Sequence, residues 1–214
     1  MPKEDAAQPE FWEKRFREKF TPWDAGGVPS ALEQFLKTEP RGQRVLVPGC
    51  GSGYEVRAFA EAGHDVLAVD FAEAAVERAR RVLGPLSDRL RLADFFEFDF
   101  ETPFDLVYER AFLCALPRRL WPRYAPRVAE LLRPGGRLAG FFFFDDAGRG
   151  PPFGLKTGEL EALLGERFER SVNTAVSDSI PIFSGKERWQ VWSLKGTRPY
   201  PRSVALGAHP HALR

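Results

Sequence analysis

Residues 44–71 read RVLVPGCGSGYEVRAFAEAGHDVLAVDF, and this stretch restricts the fold more than any other. The run 44–48 has the length of a strand and after Arg44 is apolar, without alternation. Such runs belong to strands covered on both faces. Three glycines follow closely, at 49, 51 and 53. Glu55 to Ala62 then reads as a helix, with Gly63 as its C-terminal stop. A second apolar run, 65–70, ends in Asp70. Strand, helix and strand in this order make one crossover unit of a parallel sheet.

The alternation continues along the chain. A helix is expected over 72–83, short strands over 90–93 and 104–108, and a helix over 120–132 that Pro122 and Pro126 kink or divide. Arg133-Pro134-Gly135-Gly136 reads as a turn, and 137–144 as a buried strand with an aromatic end. A helix over 157–164 and strands over 168–176 and 188–194, a closing hairpin with a long loop, complete the core. The pattern predicts an α/β fold: one doubly wound, mostly parallel, seven-stranded sheet with helices on both faces. Ahead of it, EFWEKRFREKF at 10–20 places Phe11, Trp12, Phe16 and Phe20 near one helix face. Ser30 is a candidate cap for a second short helix, with Glu33 completing a capping box. The chain thus divides into a helical segment, 1–43, a core, 44–195, and a tail, 196–214, expected to be loosely ordered for want of any periodicity.

Bulk properties narrow the function classes. A net charge of +1 over 214 residues argues against an unselective polyanion binder. The two cysteines, Cys50 and Cys114, form no CxxC or Cys/His cluster, so neither a metal site nor a disulfide framework is expected. No apolar run approaches membrane-spanning length and the start has no apolar leader, so the expectation is a cytoplasmic protein without membrane or nucleic-acid partners, a monomer or weak homodimer.

In a doubly wound sheet, ligands sit at the carboxyl ends of the strands, at the switch point. After Pro48, the backbone of Gly49, Gly51 and Gly53 can pass close to a ligand, free of Cβ atoms. Asp70, about 20 residues on, stands where such sheets place the acceptor for ribose hydroxyls. The spacing is G-x-G-x-G, with Tyr54 following, and not the G-x-G-x-x-G of dinucleotide sites. The missing third fingerprint glycine favours a ligand with a ribose but no pyrophosphate, which is S-adenosyl-L-methionine. Asp94-Phe95 fits too: the carboxylate can accept from the adenine amino group and the ring can cover the base. Capping a helix is the other use of Asp94.

The run VLVPGCGSG with Asp70, Asp94-Phe95 and LLRPGGRLAGFF resembles class I S-adenosyl-L-methionine-dependent methyltransferases, a Rossmann-like fold. FWEKRF…FTPWDAGG, GHDVLAVDF, YERAFLCALP and above all GRGPPFGLKTGELEALLG resemble the thiopurine S-methyltransferase family, with its thiol and halide methyltransferase relatives. The resemblance spans residues 10–195. It implies cofactor contacts at Trp12, Trp23, Pro48, Gly49, Gly51, Gly53, Asp70, Phe71, Asp94, Phe95 and Arg110, with the N-terminal segment as a lid. It also implies a substrate pocket at Trp23, Phe112, Phe144, Pro152 and Phe153. Gly49 stands where some members have a bulkier residue, and Asp70 where many have Glu.

The chemistry expected is methyl transfer to a small-molecule acceptor, leaving S-adenosyl-L-homocysteine. A cationic sulfonium is attracted to aromatic faces such as Trp12 and Trp23, which could equally be core residues. Arg110 could attract an anionic acceptor or pair with Glu109 or Asp105. Asp145 could accept a proton or be a solvated loop carboxylate. Cys114 reads as a small wall residue, since no neighbouring His or Lys would activate it. No positioned base is evident, which suits a soft nucleophile: a thiol first, a halide, a selenium or tellurium anion, or an O- or N-acceptor as alternatives. The rival of another class is a non-catalytic S-adenosyl-L-methionine-binding module.

Overall fold

The computed structural model describes residues 5–196. Two helices, α1 (Pro9–Arg17) and α2 (Ser30–Thr38), precede the core. Then come β1 (Arg44–Pro48), α3 (Tyr54–Glu61), β2 (Asp65–Asp70), α4 (Glu73–Leu83), β3 (Leu90–Leu92) and β4 (Phe104–Arg110). The chain continues through α5 (Trp121–Leu131), β5 (Leu132–Phe143), α6 (Glu159–Leu164), β6 (Phe168–Ala175) and β7 (Glu187–Leu194). The seven strands form one sheet in the order β3-β2-β1-β4-β5-β7-β6. β1 to β5 run parallel, and β7 lies antiparallel between β5 and β6.

The chain winds outward from β1 to β3 and then restarts on the other side of β1 with β4. The switch point therefore falls between β1 and β4, which pair at Val45↔Leu106 and Leu46↔Val107. Alternate residues of these strands feed two separate cores. Leu46, Val107, Leu138 and Phe142 meet Tyr124, Val128 and Leu160 of α5 and α6 on one face. Val45, Val47, Leu106 and Phe141 meet Val56, Phe59, Val76 and Ala79 of α3 and α4 on the other. Both faces are covered, which is why the strands read as unbroken apolar runs.

Several boundaries differ from the sequence expectation. α1 ends at Arg17; Lys19 adopts φ +55 and Phe20 stands 61% exposed, off the helix face. α2 has Pro29 at its N-cap, and the Ser30 N–H donates to the Asp178 carboxylate at 2.8 Å, so no capping box forms. α5 runs through Pro126 as one element, with Pro122 in the first turn, where its missing N–H costs nothing. The expected turn 133–136 is an excursion within β5, between the pairs Phe104↔Leu132 and Leu106↔Arg137. The tail beyond Gly196 lies outside the described residues.

Ahead of the core, α1 lies on α4. The α4 N-cap is Ala72, which offers no side-chain acceptor, and the Glu13 carboxylate of α1 accepts the Ala74 N–H at 2.7 Å instead. This satisfies one of the amides that a helix start leaves open. Phe16, half-buried Trp12 and Trp23, and Phe71 pack over Ala72, Ala74 and Ala75.

Candidate functional site

A cavity of about 310 Å³ opens at the carboxyl ends of β1, β2 and β4, at the switch point. Its walls come from the N-terminal segment, the glycine turn, the ends of β2 and β4, the loops that follow them, and the Pro151-Pro152 and Ile182-Phe183 segments.

The glycine turn is left-handed at all three glycines, with φ +58 at Gly49, +51 at Gly51 and +80 at Gly53. Their jobs differ. A Cβ on Gly49 would stand 2.4 Å from the Phe112 ring, so only glycine admits that ring over the turn. Gly53 faces away from the cavity, where a Cβ would meet Ala79 of α4 at 3.3 Å. The Gly51 N–H donates to Asp70 Oδ2 at 3.0 Å, and the Ala72 N–H donates to Oδ1 at 3.0 Å. Asp70 is buried, and burial pushes its carboxyl up to about 6 while those amides pull it down. Each oxygen retains lone pairs, and the carboxylate lies in the cavity wall.

Asp94 closes a turn rather than capping a helix, and it lines the cavity. Its Oδ1 accepts the Phe96 N–H at 2.8 Å, closing the turn after β3, and the residue lines the cavity. Phe95 beside it is buried, edge-on to Phe112 at 5.2 Å.

Trp12 is fixed by its indole N–H, which donates to the Ala6 carbonyl at 2.8 Å. Trp23 stands edge-on to Trp12 at 5.4 Å and to Phe16 at 6.0 Å. Trp23 also packs against Cys114, Phe143 and Phe183, so it joins the two halves of the cavity. Cys50 and Cys114 line the cavity, and burial pushes both thiols well up, which keeps them protonated.

Arg110 lines the cavity but pairs with neither expected partner. Its Nη1 lies 3.0 Å from Glu55 Oε1, in the first turn of α3. Neighbouring residues of a strand face opposite ways, so Glu109 cannot reach it. Asp105 stands at the other end of β4, bound to the Arg44 N–H at 2.6 Å and paired with Arg133. Burial pushes the Glu55 carboxyl up, and the guanidinium offsets part of this. The buried Arg110 Nε has no partner among the described residues.

Of the other sequence candidates, Phe71, Phe112 and Pro152 line the cavity, whereas Pro48, Gly53, Phe144, Asp145 and Phe153 do not. Asp145 is turned to solvent, where Lys186 at 2.7 Å and the Ala147 N–H at 3.1 Å hold its carboxyl below the usual range. That geometry withdraws it from proton transfer. The Phe144 and Phe153 side chains pack against the core on the α5 face instead, and the Phe153 N–H donates to the Cys114 carbonyl at 2.7 Å.

Sequence reasoning missed Glu55, Ile182 and Phe183, and it missed Asp24. The Asp24 Oδ2 accepts the Ser52 hydroxyl from inside the glycine turn and pairs with Arg78 of α4 at 2.8 Å. Glu55 carries a legible signal, an acidic residue in the first turn after a glycine cluster. The rest reach the cavity from afar, with no local pattern.

The family model for thiopurine S-methyltransferase matches residues 7–196. A probable thiol methyltransferase 2 from Arabidopsis thaliana is 35% identical, over 72% of this chain and 70% of its own. The thiocyanate methyltransferase 1 of the same plant is 32% identical, covering 85% and 83%. A Vibrio cholerae thiopurine S-methyltransferase is 31% identical, covering 73% and 80%. In fold, the chain matches the 1,6-didemethyltoxoflavin-N1-methyltransferase of Burkholderia thailandensis, solved with bound S-adenosylhomocysteine, at a TM-score of 0.72 and 22% identity, over 87% of this chain and 86% of that one. The chain belongs to the thiopurine S-methyltransferase family.

Proposed function

We propose that this S-adenosyl-L-methionine-dependent methyltransferase moves the methyl group to a small soft nucleophile, a thiol or a thiol-like anion. The observation that supports this is a cavity at the switch point in which the described residues offer no free base. Its acidic groups are all engaged: Asp24 with Ser52 and Arg78, Glu55 with Arg110, Asp70 with two amides, and Asp94 with Phe96. Both of its cysteines are held as thiols, and no histidine lines it among the described residues. The names of the relatives, a thiol, a thiocyanate and a thiopurine enzyme, support the same acceptor class.

The residues fit the cofactor. Asp70 supplies an acceptor for ribose hydroxyls, Gly49 and Gly51 a close backbone approach, Asp94 and Phe95 a polar edge and an aromatic cover for adenine. Trp12 and Trp23 face the site of the sulfonium, and the N-terminal segment acts as the lid. When bound, the cofactor supplies an electrophilic methyl group on a sulfonium. The chain contributes orientation and the exclusion of water, and alignment alone accounts for up to about 7–11 kcal/mol of such a barrier. The acceptor end is walled by Trp23, Cys114, Pro152, Ile182 and Phe183. A cytoplasmic location and a monomer or weak homodimer belong to the same reading.

The test is product counting. The protein is given S-adenosyl-L-methionine with hydrosulfide, thiocyanate, an aryl thiol, a thiopurine, iodide, a phenol and an amine, and S-adenosyl-L-homocysteine is quantified. Turnover on the sulfur acceptors is expected. Turnover confined to the phenol or the amine would overturn the proposal, and tight cofactor binding with no turnover at all would assign the chain to a binding module.

A further inference from the structure

β4 ends at Arg110, and residues 111–116 then turn between the two halves of the cavity. Ala111 adopts φ +56, a left-handed conformation that a non-glycine residue holds only when its surroundings impose it. One buried side chain reaches the backbone directly after it. Glu109, 1% exposed, leaves β4 on the face opposite Arg110 and folds its carboxylate under the turn. Its Oε1 accepts the N–H of Phe112 at 2.9 Å and of Leu113 at 3.1 Å. Its Oε2 accepts the Leu113 N–H at 3.1 Å and the hydroxyl of buried Tyr124 at 2.8 Å.

Glu109 is not in the cavity wall, but Phe112, one of the two residues whose amides it holds, is. Phe112 lies against Gly49 and edge-on to Phe95, in the half assigned to the cofactor. Ala111 and Cys114 line the half assigned to the acceptor, and the Cys114 carbonyl ties the turn to Phe153, beside Pro152. We propose that Glu109 is a positioning residue: its buried carboxylate fixes the 111–116 turn and thereby the alignment of acceptor with cofactor. This rests on the methyl-transfer reading above.

Every hydrogen-bonding neighbour of the carboxylate is a donor, so the ionised form holds the turn best. Burial pushes the Glu109 carboxyl up to about 7, against the pull of Leu113, Tyr124 and Phe112. Its charge therefore changes in the neutral range. The other titratable groups in reach are Tyr124 from α5, Cys114 from the turn and Tyr108 from β4, and burial pushes all three well above their usual values. Arg110 faces Glu55 instead. A group that acts only when ionised gives a kcat that rises with pH through its titration.

The full chain, Glu109→Gln and Tyr124→Phe are compared by three measurements. The amide signals of Phe112 and Leu113 are followed against pH by NMR without substrate. kcat and KM are measured with a thiol acceptor, and the thermal midpoint is recorded. In the wild type both amides should shift together with a midpoint near 7. In Glu109→Gln that shift and the rising limb of kcat vanish, and kcat falls about 10- to 100-fold while S-adenosyl-L-homocysteine affinity stays near wild type. Tyr124→Phe shows a smaller loss of kcat. Wild-type amides that ignore pH overturn the assignment, as does a Glu109→Gln variant with wild-type kcat, or one whose loss only follows its thermal midpoint. If Glu109→Gln does not fold, the wild-type amides and Tyr124→Phe decide. If the wild type turns over no thiol, the acceptor reading fails, and the amide titration alone then decides whether Glu109 holds the turn.

Discussion

The carboxyl of Asp70 titrates at about 6 because burial disfavours its charge more than two amides favour it. Ribose hydroxyls donate hydrogen bonds, so they bind the ionised form. Cofactor affinity should therefore be full above this value and fall as pH drops through it, by up to about tenfold per pH unit. Calorimetric titration with S-adenosyl-L-homocysteine from about pH 5 to about pH 8 checks this. Asp70→Ala should bind about 10- to 100-fold more weakly and without the pH dependence, since a hydrogen bond to a charged group contributes about 1.5–3 kcal/mol. Wild-type affinity that is flat across this range would remove Asp70 from ribose recognition. Asp70, Gly49, Gly51 and Asp94-Phe95 were legible as cavity-lining positions because each belongs to a strand end with its own local pattern, whereas Gly53 turned out to face α4. Arg110 was legible as a position but not as a pair, since Glu55 lies 55 residues away. Only the sheet, which sets β1 beside β4, brings those two together.

Between elements, α1 and the segment after it are tied to α4 and the glycine turn by two acidic side chains. Glu13 completes the start of α4, and Asp24 bridges Ser52 and Arg78. Asp24→Asn leaves the Arg78 guanidinium without its charged partner, a loss of about 1–3 kcal/mol localised on this segment. Faster limited proteolysis between α1 and α2 is expected, with a raised KM for S-adenosyl-L-methionine and protection restored by S-adenosyl-L-homocysteine. Unchanged cleavage would mean that the aromatic packing alone holds the segment. The strands were legible as elements because burial on both faces writes continuous apolar runs. The cap of α2 was not: Ser30 followed by Glu33 carries the capping-box spelling, but the Ser30 amide is taken by Asp178, 148 residues away. Phe20 likewise continues the helical spacing on paper, while the chain has already turned at Lys19.

At the scale of the molecule, burial raises the carboxyls of Glu55, Asp70, Glu109 and Glu187 among the described residues, with Asp70 at about 6 and Glu109 at about 7. Between the ordinary carboxylate range and those values, the folded chain keeps protons that the unfolded chain has released. Their stabilising contribution is thus complete at low pH and is lost as pH rises through about 6 and about 7. Asp5, Glu159 and Asp178, held below their usual values, act in the opposite sense only in more acidic solution, and His64, which burial pushes below its usual value, offsets part of the loss in mildly acidic solution. The thermal midpoint should therefore drop by about 2–8 °C from about pH 5 to about pH 8, and Glu109→Gln should flatten that slope. Scanning calorimetry in matched buffers measures it, and a midpoint that climbs with pH would contradict the assignment. The doubly wound class was legible from alternation alone. The place of β7 was not, because an apolar run says that a strand is buried but not which strands flank it.

That place has a consequence for how the protein is made. The ribosome releases β7 last, yet it lies between β5 and β6, strands synthesised before it. Until β7 emerges, β5 ends the growing sheet with an open edge and β6 has no neighbour at all. The segment bearing Ile182 and Phe183, which lines the cavity, comes directly before β7 in the chain. A nascent chain can thus assemble its glycine turn and Asp70 early, while the part of the cavity wall that carries Ile182 and Phe183 joins late.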